Sequence, residues 1–203
     1  YNYKELRSEL AEMGYAFFSE GDTEVIIKAY HAWGEKCVER FFGMFAFAIW
    51  DMRHATLFMA RDRFGIKPLY YALNGASLRF ASNMQALLAA GGVDTSLDAI
   101  ALHHHFTLHA VVPAPRTIIN GVKKLPPATT MTISAAGQIS QRVYWNLDAT
   151  RPAQTLSEED WLKATRLVLS RAVERHRLAS DVPVGILLSG GLDSSLLVGV
   201  LAD

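Results

Sequence analysis

Within the stretch "LLSGGLDSS", the seven positions from Ser189 to Ser195 hold two adjacent glycines, three hydroxyls and one carboxylate. Gly190 and Gly191 let a backbone approach an anion closely. If a helix begins near Asp193, its first N–H groups, its dipole and the hydroxyls of Ser189, Ser194 and Ser195 all aim at phosphate oxygens. No Lys follows the glycines, so this is not a Walker A loop, which needs G-x-x-x-x-G-K-[ST]. A carboxylate is out of place beside phosphate unless Mg²⁺ lies between them, which makes Asp193 the candidate metal ligand. The plainer reading is a Gly-Gly turn capped by Asp and Ser. It accounts for one strand-glycine-helix junction, but does not call for all seven residues at once. Two other positions could do chemistry. Asp22, in "EGDTEV", stands where a helix N-cap is expected. Cys37 is the single cysteine, at the end of a predicted helix.

The elements that must position these residues follow from periodicity. Before the loop, "VGILLS" is apolar on both faces, as a central parallel strand must be. The segment "SEEDWLKATRLVLSRAVERHRLA" predicts a long helix opened by Ser157 and Asp160, with Trp161, Leu167, Val168 and Ala172 on its buried side. Around Asp22, Val25, Ile26, Ala29, Tyr30 and Trp33 recur at helical spacing up to a stop at Gly34. Two runs flanking Asp51 to His54 read as a hairpin whose first strand sets Phe45, Phe47 and Ile49 against Ala46, Ala48 and Trp50. Both faces are apolar, so the strand is expected to be covered on both sides. A second hairpin is expected to turn at Asn74-Gly75, and a third between Ala135 and Gly137. Short helices are predicted in "NMQALLAAGG" and "SLDAIALHHHFTLHA", with a proline-punctuated surface loop after them.

Composition narrows the partners. Of 203 residues half are apolar, enough for one domain and part of another. The 20 basic residues balance the 20 acidic ones, so nothing global favours nucleic acid or an anionic membrane, and any anion must be bound locally. One cysteine excludes an internal disulfide and fits a reducing compartment, the cytoplasm by default. No apolar run approaches the roughly 20 residues that span a bilayer, and no leader precedes "YNYKELRSELAEMGY". Periodicity fails over "NLDATRPAQTLSEED", which places a linker there and predicts domains over 1–146 and 155–203.

With those residues in view, "LLSGGLDSS" resembles the signature of the pyrophosphate-loop ATPases, which cleave ATP to AMP and pyrophosphate. "FGMFAFAIWD", "ARDRFGIKPLYY", "FAS", "VPAPRTI" and "KKLPP" resemble, in this order, the glutamine-hydrolysing asparagine synthetase family. The resemblance covers nearly the whole chain. It implies an α+β fold: an N-terminal-nucleophile-type αββα sandwich, the class II glutamine amidotransferase domain, followed by the start of an α/β parallel-sheet synthetase domain. It also implies a reaction in which ammonia from glutamine reaches an aspartate carboxylate adenylated by ATP, with Mg²⁺. Small molecules are then the partners (glutamine, ATP and the acceptor), and a homodimer is the candidate assembly.

The resemblance also assigns residues. Asp22 matches the aspartate that grips the α-amino group of glutamine. Leu187 matches a contact to the nucleotide, and Ser189, Gly190, Gly191, Asp193, Ser194 and Ser195 match the pyrophosphate loop, with Asp193 as Mg²⁺ ligand. The family nucleophile is an N-terminal cysteine whose own amine is the base. It is expected upstream of Tyr1, since of the family's "NGEIYN" segment only "YN" is present, and the remaining sheet and acceptor site are expected beyond Asp203. The isolated chain is therefore expected to be inactive. Cys37 has no free amine to activate it and reads as structural. Arg61, Asp62, Arg63 and Lys67 read as a structural turn. Asn83 replaces a common family Glu. His105 and His109 have the spacing of two metal ligands on one helix, but no Cys or carboxylate accompanies them, and they read as ordinary helix histidines. Relatives such as N-acetylglutaminylglutamine amide synthases amidate another carboxylate; a second alternative is an ATP-dependent ligase with a degenerate N-terminal domain, as in the similar β-lactam synthetases, and the third is a truncated, non-catalytic paralogue.

Overall fold

The computed structural model describes residues 1–75, 77–150, 155–180 and 182–202, so part of the expected linker, 151–154, lies outside the described residues. Two compact units are present. One gathers Tyr1–Lys28 with Leu147–Asp203, the other is Ala29–Asn146.

The continuous unit is built on two antiparallel sheets. Strands β1 (Ala46–Asp51), β2 (Thr56–Arg61), β6 (Thr129–Ile133) and β7 (Ile139–Val143) form one, in the order β1-β2-β6-β7; β4 (Ser77–Ala81), β3 (Tyr70–Asn74) and the two-residue β5 (Lys123–Lys124) form the other, in the order β4-β3-β5. Met59 and Met131 of the first sheet meet Leu69, Tyr71 and Leu125 of the second in one buried cluster, so the sheets face each other across it. Residue alternation sends Phe58 to the opposite side of β2 from Met59. There it stacks on Tyr30, 5.1 Å between ring centroids. Phe41, Phe45 and Phe47 extend that aromatic layer. Phe41, Phe45 and Phe58 of this layer are buried, and aromatic burial contributes strongly to apolar stabilisation on this side of the sheet. Covering of both faces is seen at β2, where Phe58, Met59 and Ala60 are buried, but the edge strand β1 leaves Trp50 58% exposed. Helix α3 (Met84–Ala89) is capped by the Asn83 side chain and followed by Gly91 and Gly92, both at positive φ. Helix α4 (Ala99–Thr107) is capped by Asp98, which accepts from the N–H groups of Ile100 and Ala101 and pairs with Arg116 at 2.5 Å.

Two expectations shift here. Asn74 pairs with Ser77 inside the ladder, so the reversal begins at Gly75 (φ +57°) rather than at the Asn74-Gly75 pair: the pairing of Tyr70 with Ala81 sets the register, and the turn takes what remains. Helix α4 ends at Thr107, and His109, at φ +49°, lies past its end. His105 and His109 therefore do not share a helix face.

In the other unit, α1 (Tyr3–Glu12) buries Tyr3, Leu6 and Leu10. Helix α2 (Asp22–Trp33) begins in this unit and runs into the next. Helix α5 (Glu158–Ala179) opens as expected, with Ser157 accepting from the Asp160 N–H and donating to its carboxylate at 2.6 Å. It has no buried residue: Trp161, Leu167, Val168 and Ala172 are all exposed, contrary to expectation. An apolar stripe is buried only against another layer. Among the described residues α5 meets α6 (Leu192–Ala202), and α1 through a 3.9 Å Arg175–Glu5 pair. The expected strand in "VGILLS" is absent as well. Residues 183–189 belong to no sheet, because no neighbouring strand among the described residues offers a ladder to their N–H and C=O groups. No helix among the described residues is long and apolar enough to cross a membrane.

Candidate functional site

Asp22 is the first residue of α2 and is exposed. It is a first-turn carboxylate at the positive end of the helix rather than the residue before it. Among the described residues its carboxylate has one contact, a long 3.5 Å bond from the Thr23 hydroxyl. Its backbone is held firmly: the Tyr1 hydroxyl donates to the Asp22 carbonyl at 2.6 Å. This contact brings the "YN" residue at the start of the chain to the residue matched with glutamine binding.

Beneath it sits a network that periodicity did not single out. Glu24, 5% exposed, accepts from the N–H groups of Phe18 (3.1 Å) and Ser19 (2.8 Å) and from the Ser19 hydroxyl (2.7 Å), and pairs with Lys28 at 2.6 Å. Burial pushes its pKa up, but the bonds from Lys28, Ser19 and Phe18 together outweigh that and hold it at about 2. Lys28 also donates to the Ala16 carbonyl. Arg7 donates to the Ser19 carbonyl at 2.5 Å, and the Arg7 and Lys28 cations flank the Phe17 ring at 4.5 and 4.4 Å. The sequence offers only the Glu24–Lys28 spacing of i, i+4, which by itself reads as an ion pair on the solvated side of the helix.

The serine-glycine loop has a geometry of its own. Gly190 takes φ +80°, and no atom lies within 4 Å of where a Cβ would be. Helix α6 starts at Leu192, so Asp193 lies in its first turn. The Ser189 and Ser194 hydroxyls are 3.1 Å apart, and those of Ser194 and Ser195 donate to the Gly191 carbonyl at 3.1 and 2.9 Å. Leu187 is 96% exposed. The loop thus presents hydroxyls and a helix N-terminus to solvent. To meet an anion, Ser194 and Ser195 must exchange one acceptor for another, which a hydroxyl rotor does at little cost. No group of three or more His, Cys, Asp or Glu that could hold a metal ion occurs among the described residues, so Asp193 would need its remaining ligands from phosphate oxygens and water.

Cys37 and the charged turn are structural in their contacts. Cys37 is fully buried in the 3₁₀ helix Gly34–Arg40, and burial pushes its thiol up to about 12. A thiol reagent is therefore expected to leave Cys37 unmodified in the native chain at pH 8 and to modify it once the chain is unfolded. Equal rates in both states, followed by absorbance, would show that the thiol is accessible. Asp62, 1% exposed, accepts the N–H groups of Phe45, Phe64, Ile66 and Lys67 at 3.4, 3.2, 2.9 and 2.9 Å. Arg61 donates to the carbonyls of Lys67, Leu125 and Gly65 at 2.7, 2.6 and 2.6 Å, and burial lowers its pKa. Arg63 lies over the Phe42 ring at 4.4 Å. Lys67 is exposed.

The profile of a glutamine amidotransferase domain matches residues 1–145, and that of an asparagine synthase matches residues 164–203. The glutamine-hydrolyzing asparagine synthetase 3 of Bacillus subtilis is 39% identical over 202 residues, covering 100% of this chain and 32% of its own length. Asparagine synthetase 1 of the same organism is 40% identical over 203 residues, covering 100% and 31%. This chain thus spans about a third of the length of these curated relatives. The solved glutamine phosphoribosylpyrophosphate amidotransferase of B. subtilis aligns with a TM-score of 0.48 at 15% identity, over 98% of this chain and 41% of that one, a likeness too slight to assign a fold.

Proposed function

We propose that this chain, which belongs to the glutamine amidotransferase domain family over residues 1–145, is the glutamine-handling part of a glutamine-hydrolysing asparagine synthetase together with the opening of its ATP-dependent half. The observation that carries this reading is the identity of 39–40% to two enzymes of that name over 100% of this chain, which includes both the amidotransferase region and the serine-glycine loop. The proposed division is 1–146 and 155–203. Two antiparallel sheets face to face, with an aromatic layer and Tyr30 of α2 on one side, support an N-terminal-nucleophile αββα sandwich for the first part.

In this reading Asp22 is the counter-ion of the glutamine α-amino group, and the loop from Ser189 to Ser195 is the cradle for the pyrophosphate portion of ATP, with Leu187 beside the nucleotide. The loop offers donors suited to phosphate oxygens, namely hydroxyls, a glycine with no neighbour where a side chain would stand, and a helix N-terminus whose first N–H groups lack intrahelical acceptors. Asp193 would hold Mg²⁺ there. Bound ATP would supply the adenylyl group that makes a carboxylate susceptible to ammonia. Cys37 is not the nucleophile, being buried with a raised pKa and lacking a free amine. The proposed setting is the cytoplasm, with small molecules alone as substrates.

The test uses the full-length polypeptide with ATP, glutamine and a panel of carboxylate acceptors. Aspartate is expected to give pyrophosphate and asparagine in equal amounts. Amidation of another acceptor in place of aspartate would overturn the assignment of substrate, and no acceptor-dependent pyrophosphate at all would overturn the assignment of the reaction.

A further inference from the structure

We propose that Glu24 is a positioning residue for glutamine: by holding the backbone of Phe18 and Ser19 it fixes where the Asp22 carboxylate stands, and so sets the preference for substrates with an α-amino group. The inference rests on the role given to Asp22 above. Its basis is an asymmetry in how Asp22 is held. The carboxylate has no tether of its own beyond the 3.5 Å contact with Thr23, so its placement is inherited from the main chain on either side. On one side the Tyr1 hydroxyl holds the Asp22 carbonyl. On the other, a relay leads back to a buried charge: the Gly21 N–H donates to the Ser19 hydroxyl at 3.3 Å, and that hydroxyl donates to Glu24 at 2.7 Å.

Glu24 commits both carboxylate oxygens to this segment. One accepts from the Phe18 N–H and pairs with Lys28, and the other accepts from the N–H and hydroxyl of Ser19. Lys28 adds a bond to the Ala16 carbonyl, and Arg7 from α1 one to the Ser19 carbonyl. The segment from Ala16 to Gly21 is therefore clamped by α1 and by the first turns of α2, and Asp22 follows directly from it. Because a charged group placed about 1 Å from its working position can lose up to about 100-fold in rate, such a clamp matters most to a substrate whose ammonium Asp22 must meet.

The test compares L-glutamine with its des-amino analogue, glutaramate, as nitrogen donors for the full-length polypeptide. Glu24→Gln keeps the size and one acceptor but removes the charge that binds Lys28. It is expected to lower kcat/KM for L-glutamine about tenfold, mainly through KM, with glutaramate changed less than about twofold. Ser19→Ala cuts the relay while leaving the Glu24–Lys28 pair, and is expected to shift the preference the same way by a smaller factor. If both donors fall in parallel, Glu24 only supports the fold and the proposal is overturned. If Glu24→Gln does not fold, Ser19→Ala decides, and an unchanged preference overturns it. Asp22→Asn is measured alongside. If it leaves the preference intact, the role of Asp22 itself fails; if it abolishes the preference while the other two variants do not, only the positioning role fails.

Discussion

Asp22→Asn in the full-length polypeptide is expected to lose most glutamine-dependent synthesis while synthesis from added ammonium stays near wild type. Asn keeps the size of the side chain and removes its charge, so on the role proposed for Asp22 the α-ammonium of glutamine would lose its counter-ion. Charge-assisted pairs of this kind are worth about 2–4 kcal/mol when desolvated. Asp22 is exposed among the described residues, which argues for the lower end, a loss of about 30-fold in kcat/KM for glutamine. Stability is expected to change little. Asp22 is the first helical residue and its carboxylate has one long contact, so the substitution removes at most a favourable interaction with the helix dipole of about 0.3–1 kcal/mol. Normal use of glutamine would mean that Asp22 serves only the helix. A parallel fall in ammonium-driven synthesis would mean that the two reactions cannot be separated at this residue.

Asp193→Ala is expected to cut pyrophosphate release by at least about 100-fold, with glutamine and with ammonium alike, because on the role proposed for Asp193 the lesion would lie at the metal rather than at the nitrogen source. Loss of a metal ligand should also raise the Mg²⁺ concentration needed for half-maximal rate, which a titration measures directly. Ser189→Ala is expected to be milder. Its hydroxyl, 3.1 Å from that of Ser194, is one donor among several, and its loss corresponds to about 1–3 kcal/mol. Undiminished pyrophosphate formation by the Asp193 variant would place the metal on other residues.

Much of the fold was legible because its signals are local. Alternation in residues 46–51 and 56–61 sufficed for a hairpin, and Ser157 marks the start of α5 by a side chain that accepts from the Asp160 N–H. What failed depended on partners. The start of the reversal after Asn74 is set by the Tyr70–Ala81 pairing. Nothing in "HFTLHA" announces a non-glycine residue at positive φ, so the end of α4 before His109 had no signal. The apolar face of α5 and the run before Ser189 were assigned to a covered layer and a sheet. Periodicity says that a face is suited to burial, not that a neighbour is present to bury it. In the candidate site, Asp22 and the loop from Ser189 to Ser195 were accessible as motifs. Glu24 was not, because a glutamate in the first turn of a helix reads as a solvated charge until its bonds to Phe18 and Ser19 are seen.

The turn after β2 has a consequence for how this sequence can drift. Arg61 and Asp62 bind main-chain atoms of the turn: the carbonyls of Gly65 and Lys67, and the N–H groups of Phe64, Ile66 and Lys67. What they demand of those neighbours is a backbone, which nearly every amino acid supplies, and the side chains of Phe64, Ile66 and Lys67 are exposed. Gly65 is the exception: it takes φ +64°, and a Cβ there would lie 2.9 Å from the Pro127 ring. Substitutions at 66 and 67 are therefore expected to leave the join between the two sheets nearly unchanged, whereas Phe64 also sets its ring edge-on to Trp145 at 5.2 Å, so the outer surface of the turn is free to vary at 66 and 67 while 61, 62 and 65 are constrained beneath it.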